Sequence, residues 1–319
     1  MSKFKMVDPM VSPRFCNTGD YMRLPRVKDP ADMDAFDFVI FGVPFDTAGC
    51  YRIGARFGPS AIRSISTILK PYNAALDVDI WEQLAGCDYG DVDAIPGFLE
   101  DTYFNTERDL DAILKNNVVP IGLGGDHSIT LGELRSIAKK HGPVALVQFD
   151  AHTDTHDLYF GHKYSHGSPF RRAVEEGLID PYKSTQIGIR GTLYDCHDYE
   201  DSTELGFRLI TTDEVRQQGF EAAVAEIYAR AGNSPVFLTF DIDFVDPAFA
   251  PGTGVPEIGG FTSYESIQLL RAMKDLRFVG FDIVEVAPVY DSAEITANLA
   301  AHVVHEFLSI LAYRKKHGK

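Results

Sequence analysis

The sequence predicts an α/β protein built on a mostly parallel sheet with helices on both faces, and three observations predict it. Short apolar runs alternate with helical patterns along the chain, the order that parallel strands require because each crossover carries a helix. Several runs are apolar at successive positions rather than at every second one, as in strands covered on both sides. The 319 residues are 45% hydrophobic and contain no repeat, no low-complexity tract and no linker long enough to separate domains. A single large core follows.

The elements follow in order. Residues 1–35 read as an irregular N-terminal arm, suited to contacting another subunit, and residues 36–319 as one domain. Strand-like runs are Asp37 to Val43, Val118 to Leu123, Val144 to Phe149, Thr185 to Ile189, Phe207 to Ile210, Val236 to Phe240 and Phe278 to Val284, with a weaker one at Gln83 to Cys87. Ser128 to Lys140 reads as a helix opened by a Ser cap and stopped by His141-Gly142-Pro143. Phe220 to Ala231 and Ser263 to Lys274 carry similar patterns, and Ala293 to Tyr313 closes the chain with a long amphipathic one.

Composition narrows the function classes. The formal net charge is −16. So acidic a surface repels phosphate backbones and anionic headgroups, which argues against nucleic-acid and membrane roles. It attracts a cationic substrate only weakly, because salt screens charges beyond ~10 Å. The four cysteines Cys16, Cys50, Cys87 and Cys196 form no CxxC pair, the pattern of a reducing compartment rather than a disulfide framework. The opening MSKFKMVDPM lacks a signal-peptide core, and no run approaches the ~18 to 20 apolar residues of a membrane span. Together these predict a cytoplasmic protein.

Chemistry in such sheets sits beyond the carboxyl ends of the strands. Four of those ends carry acidic or imidazole groups: GGDHS with Asp126 and His127, DAHTD with Asp150, His152 and Asp154, DIDFVDP with Asp241, Asp243 and Asp246, and Glu285 after Val284. If DAHTD is extended, Asp150, His152 and Asp154 point to one side while Ala151 and Thr153 face away. Clustered carboxylates raise one another's pKa, a conflict that dications resolve. Counting ligands gives two sites: His127, Asp150, Asp154 and Asp241 for one ion, and His152, Asp150, Asp241 and Asp243 for the other, with Asp150 and Asp241 shared. Oxygen and nitrogen donors without thiolate suit manganese. Each motif alone has a plainer reading, a turn histidine for His127 and a helix cap for DxD; their joint placement at strand ends favours the metal cage. Asp126 reads as orienting a ligand, and Asp246 as a turn former before Pro247.

These segments resemble the ureohydrolase family, the arginase and agmatinase group. The matching pieces are GVPFD (Gly42 to Asp46), RFGPSAIR (Arg56 to Arg63), GGDHS, FDAHTD, SHGSPF (Ser165 to Phe170), FDIDFVDPAFAPGTGVPEIGG (Phe240 to Gly260) and EVAPVYD (Glu285 to Asp291). The resemblance implies a three-layer α/β/α arginase-like fold with an eight-stranded parallel sheet. It also implies two Mn2+ per subunit on the same six residues, cleavage of a small guanidino substrate to urea and an amine, and a homotrimer or homohexamer. His166 matches the family's mobile acid/base histidine, Glu285 the carboxylate that receives the guanidinium, and Asp154 a ligand that also steers the proton from water. Arginases carry Asn where this chain has His156, which weighs against arginase. The C-terminal half resembles agmatinase, with guanidinobutyrase and guanidinopropionase as the alternatives. The loops His156 to Lys163 and Tyr194 to Asp201 are the candidates for reading the far end of the substrate, and the acidic second loop favours a cation. A single-zinc deacetylase of the same fold is the alternative from another class, disfavoured by the presence of both His127 and Asp154.

Overall fold

The computed structural model describes residues 7–8 and 10–319. Ten strands are present: β1 (Phe38–Val43), β2 (Tyr72–Asn73), β3 (Val78–Asp79), β4 (Gly86–Asp91), β5 (Val119–Gly124), β6 (Ala145–Phe149), β7 (Thr185–Ile189), β8 (Arg208–Thr211), β9 (Val236–Asp241) and β10 (Phe278–Val284). Eight of them form one sheet in the order β4-β1-β5-β10-β9-β6-β7-β8. Every pairing within it is parallel. β2 and β3 form a separate two-residue antiparallel ribbon.

Side chains alternate between the two faces of the sheet. Ile121, Leu123, Val147, Phe149, Leu238, Phe240, Phe281 and Ile283 belong to the larger core cluster. The helices Gly58–Ser66, Ser263–Ala272 and Ile295–Lys316 pack together on that side. Leu146 and Phe237 point the other way, into a second cluster. There the helices Leu99–Ile113, Thr130–His141 and Pro169–Glu175 form the opposite layer. The three-layer α/β/α architecture expected from the sequence is therefore present.

Several local expectations differ. The edge strand lies at Gly86–Asp91 rather than at Gln83 to Cys87. Its central Asp88 is fully buried, and Arg63 donates to it from Nε at 2.8 Å and from Nη2 at 3.0 Å. A strand completed by a buried ion pair has no apolar signature at that position. The helix expected from Ser128 begins at Thr130, preceded by a 3-10 turn over His127–Ile129. Asp126, not Ser128, supplies the cap by accepting Ser128 N–H at 3.1 Å, since a carboxylate is the stronger acceptor. The helix at Ser263–Ala272 carries a full capping box between Thr262 and Glu265. Leu99–Ile113 escaped the apolar reading because Thr102 and Thr106 occupy its buried face.

The segment before Asp37 is irregular, yet Tyr21, Met22 and Leu24 are buried in this chain's own core. Tyr21 donates its hydroxyl to Ala301 O at 2.8 Å. The closing helix Ile295–Lys316 is long and apolar enough to cross a membrane by composition, but 78% of its apolar window is buried inside the fold, as in a core helix.

Candidate metal centre and substrate cleft

The loops that follow β5, β6, β9 and β10 meet at the carboxyl edge of the sheet. Gly125 makes the first turn possible: a Cβ there would sit 1.8 Å from Phe45 O, so only glycine admits this close backbone approach. Asp126 N–H then donates to Phe45 O at 2.7 Å. The Asp126 carboxylate caps the His127 turn and accepts Ala48 N–H at 3.0 Å. Asp126 thus orients the His127 turn through backbone contacts.

His127 is fully buried. Its Nδ1 lies 3.1 Å from Asp150 Oδ2, 2.9 Å from Asp154 Oδ2 and 3.3 Å from Asp241 Oδ2. His152 Nδ1 lies 3.0 Å from Asp243 Oδ2 and 3.7 Å from Asp150 Oδ1. Two donor groups result, His127–Asp150–Asp154 and Asp150–His152–Asp243, and Asp150 offers one oxygen to each. All six sequence-predicted ligands are brought together. Asp241 reaches the first group alone, because its Oδ1 accepts Asp243 N–H at 2.9 Å in its own 3-10 turn.

The route to this convergence differs from the extended segment expected for DAHTD. β6 ends at Phe149, and His152 N–H turns back onto Asp150 Oδ1 at 2.6 Å. Asp154 then adopts φ +52°, and Glu285 adopts φ +62°. Left-handed backbone is uncommon outside glycine and is tolerated where surrounding contacts enforce it, often at functional sites.

The electrostatics fit a cage built for positive charge. Burial, reinforced by Asp243 and Asp154, pushes the Asp150 carboxyl up to about 7. Asp241 is pushed well above the carboxylate range by burial and then by Asp243 and Asp150. At Asp243 burial is outweighed by His152, which holds the carboxyl down at about 2. His152 rises to about 10 because the carboxylates outweigh burial. His127 Nδ1 forms no well-directed hydrogen bond although three carboxylate oxygens surround it. An orphaned buried nitrogen among oxygens is the donor set of a divalent cation, and the residues present fit such ions.

Beside the cage lies a cleft lined by Cys50, His152, His156, Tyr159, His166 and Glu285. His166 Nδ1 is 3.3 Å from Glu285 Oε1, and the same oxygen accepts His127 N–H at 2.9 Å. Burial of His166 opposes its protonation, but Cys50 and Glu285 outweigh it and raise the imidazole well above its ordinary value.

These loops are the ones that the family comparison matches. The arginase family model covers residues 36–309. The chain belongs to the arginase family. It is 44% identical over 300 residues to a guanidinobutyrase from Pseudomonas aeruginosa, covering 94% of each chain. It is 42% identical over 290 residues to a mitochondrial agmatinase from Gallus gallus, covering 91% of this chain and 84% of that one. The crystallised proclavaminate amidino hydrolase from Streptomyces clavuligerus superposes with a TM-score of 0.88 at 41% identity, covering 95% of this chain and 99% of that one. This arginase-family chain is accordingly a hydrolase of guanidino compounds, and relatives of similar identity differ in the compound they are named for.

A second chamber continues from the cleft, sharing His152, His156, Tyr159 and Val255 with it. Its remaining wall includes Arg190, Tyr194, Asp198 and Glu257. Of the four acidic residues in the loop Tyr194 to Asp201, Asp198 alone lines this chamber. Asp195 accepts His197 N–H, Glu200 pairs with His197 and Asp201 with Arg171. From the other loop, Asp157 pairs with Arg172, while His162 and Lys163 line a separate surface hollow. Asp246 closes its own turn as expected, accepting Ala248, Gly259 and Gly260 N–H groups. Tyr159 and Val255 lay inside quoted segments without being singled out, and Cys50 had no motif to mark it. Arg190 had none either, yet its guanidinium fixes the DIDFVDP loop by donating to Asp243 O at 2.6 Å and Phe244 O at 3.2 Å.

Proposed function

We propose that the protein hydrolyses agmatine to urea and putrescine with two manganese ions held by His127, Asp150, His152, Asp154, Asp241 and Asp243. The observation that carries the substrate choice is the charge of the chamber beyond the cleft. Arg190 is the one Lys or Arg among the described residues lining either space. Its guanidinium is committed to the carbonyls of Gly188, Asp243, Phe244, Glu257 and Ile258. A carboxylate tail finds no free cation there, whereas Asp198 and Glu257 offer acceptors to an ammonium.

Divalent ions in the cage supply acidified water as the nucleophile. The chain's own groups do the rest. Glu285, its Oε1 pinned by the His127 N–H, receives the planar guanidinium and fixes its carbon beside the cage. Asp154, 2.9 Å from His127 Nδ1 and lining the cleft, takes the water proton. His166, held by Glu285 and Cys50, returns a proton to the departing nitrogen. Tyr159 and Val255 flank the passage between the two spaces and pack against the methylene chain.

The guanidino acids of guanidinobutyrase and guanidinopropionase are the second reading, supported by a guanidinobutyrase that is as similar to this chain, at 44% identity, as an agmatinase is. A one-ion deacetylase is opposed by the second donor group around His152 and Asp243. The deciding experiment is a kcat/KM panel over agmatine, 4-guanidinobutyrate, 3-guanidinopropionate and arginine with added manganese. Agmatine leads in the proposed reading; agmatine trailing any other by more than about tenfold, roughly 1.4 kcal/mol of transition-state stabilisation, overturns it.

A further inference from the structure

One polar side chain interrupts each of four apolar strands beneath the cage. Gln186 on β7 is in register with Gln148 on β6, Gln148 with Thr239 on β9, and Thr239 with Asp282 on β10. All four are fully buried. In β10's other neighbour, β5, the place in register is Gly122, where a Cβ would meet Glu133 Oε1 at 2.5 Å. The Glu133 carboxyl therefore occupies the end of the row. No apolar core requires such a row, and buried polar groups are retained at a cost unless they are paired.

The row has a direction. Ser202 donates its hydroxyl to Gln186 Oε1. Gln186 Nε2 donates to Gln148 Oε1 at 2.6 Å, and Gln148 Nε2 donates to Asp150 Oδ2 at 2.7 Å. Gln148 also holds His152 O at 3.1 Å. From the other end, Thr130 donates to Asp282 Oδ2 at 2.6 Å, and Asp282 stands in register with Thr239. Thr239 Oγ1 lies 2.8 Å from His127 Nε2, and with Nδ1 turned to the carboxylates and the ions they would hold, Nε2 is the nitrogen that donates to it. His127 then carries its proton on Nε2 and presents the Nδ1 lone pair to the three carboxylates.

We infer that this in-register row, Asp282–Thr239 on one side and Gln148–Gln186 on the other, is what aims His127 and Asp150 at the metal ions. The inference rests on the two-ion reading above and adds the positioning residues behind it. Hydrogen-bond partners of this kind fix ligand orientation and are worth about 10- to 100-fold in metal affinity. Glu133 is consistent with the assignment. Burial first, and then Asp282, keep its carboxyl well above the ordinary range, and burial raises the Asp282 carboxyl as well.

The test is calorimetric titration of Mn2+ into metal-stripped protein, with thermal melting of the metal-free forms as the control for folding. Asp282→Asn keeps the shape but replaces the carboxylate in register with Thr239 by an amide that can donate to the Thr239 hydroxyl, in competition with His127 Nε2. Asp282→Asn and Thr239→Val each weaken one of the two sites by about 10- to 100-fold, while Thr239→Ser restores it. Gln148→Leu weakens both sites, because Asp150 belongs to both groups. Equal two-site affinity in the wild type and in Thr239→Val, with unchanged melting, overturns the positioning role, and Thr239→Val against Thr239→Ser decides it even where Asp282→Asn fails to fold. A wild type that takes up no divalent ion overturns the metal reading itself.

Discussion

His166 and Glu285 show how much one oxygen atom decides. Glu285 Oε1 meets both the His127 N–H and the His166 ring, so the proposed guanidinium anchor, the turn bearing a proposed ligand and the proposed proton donor share one contact. Glu285 holds this position with its backbone at φ +62°, a conformation that costs on the order of 1–3 kcal/mol outside glycine. His166 is not among the donor groups that could hold an ion. His166→Asn is accordingly expected to lower kcat by about 10²- to 10⁴-fold with manganese content and melting temperature unchanged. Metal analysis beside steady-state kinetics checks this, and loss of metal in parallel with kcat contradicts the assigned role.

At the scale of elements, the site is a property of strand ends and their first turns. Gly125 lies where the β5 loop crosses the backbone at Phe45, and the 1.8 Å approach to Phe45 O leaves no room for a methyl group. Gly125→Ala is predicted to cost about 1–3 kcal/mol or more and to displace His127, so that manganese affinity falls together with stability. Gly142, at φ +74° with nothing within 4 Å of a Cβ, provides the contrast. Gly142→Ala costs about 1–3 kcal/mol from backbone conformation alone, since φ +74° with ψ −175° is open essentially to glycine, and leaves metal binding intact. Urea melts with and without manganese separate the two; equal metal affinity in both variants contradicts the placement of Gly125.

The whole molecule couples folding to the charge of its cage. Without ions, Asp150 is pushed up to about 7 and Asp241 well above the carboxylate range, burial being the largest cause. A carboxyl whose folded pKa exceeds its unfolded value near 4 binds its proton more tightly when folded. Its contribution to stability is therefore complete below about pH 4 and is lost as pH rises through about 7. Metal binding must displace these protons, so manganese affinity rises over the same window. The melting temperature of the metal-free protein is expected to fall from pH 5 to pH 8 while the gain on adding manganese grows. At a hundredfold excess over the dissociation constant that gain is about 2.7 kcal/mol. Melting scans in EDTA and in manganese across this range check it; a gain that shrinks as pH rises contradicts the cage.

The chain by itself determined the layered α/β architecture, because hydrophobic periodicity is local and survives in any context. It also marked the six side chains that converge in the cage, because strand ends expose their next few residues whatever the helices do. What it left open has a common cause in pairings across long sequence distance. The edge strand at Gly86–Asp91 depends on Arg63 neutralising Asp88, and Arg190 reaches its loop from more than fifty positions away. DAHTD converges through a turn, closed by His152 N–H on Asp150 Oδ1, and a left-handed Asp154. The polar residues Gln148, Gln186, Thr239 and Asp282 are each visible as an interruption in an apolar strand. Only the register of the sheet, set by the packing of all eight strands, reveals that they form one line beneath the ligands.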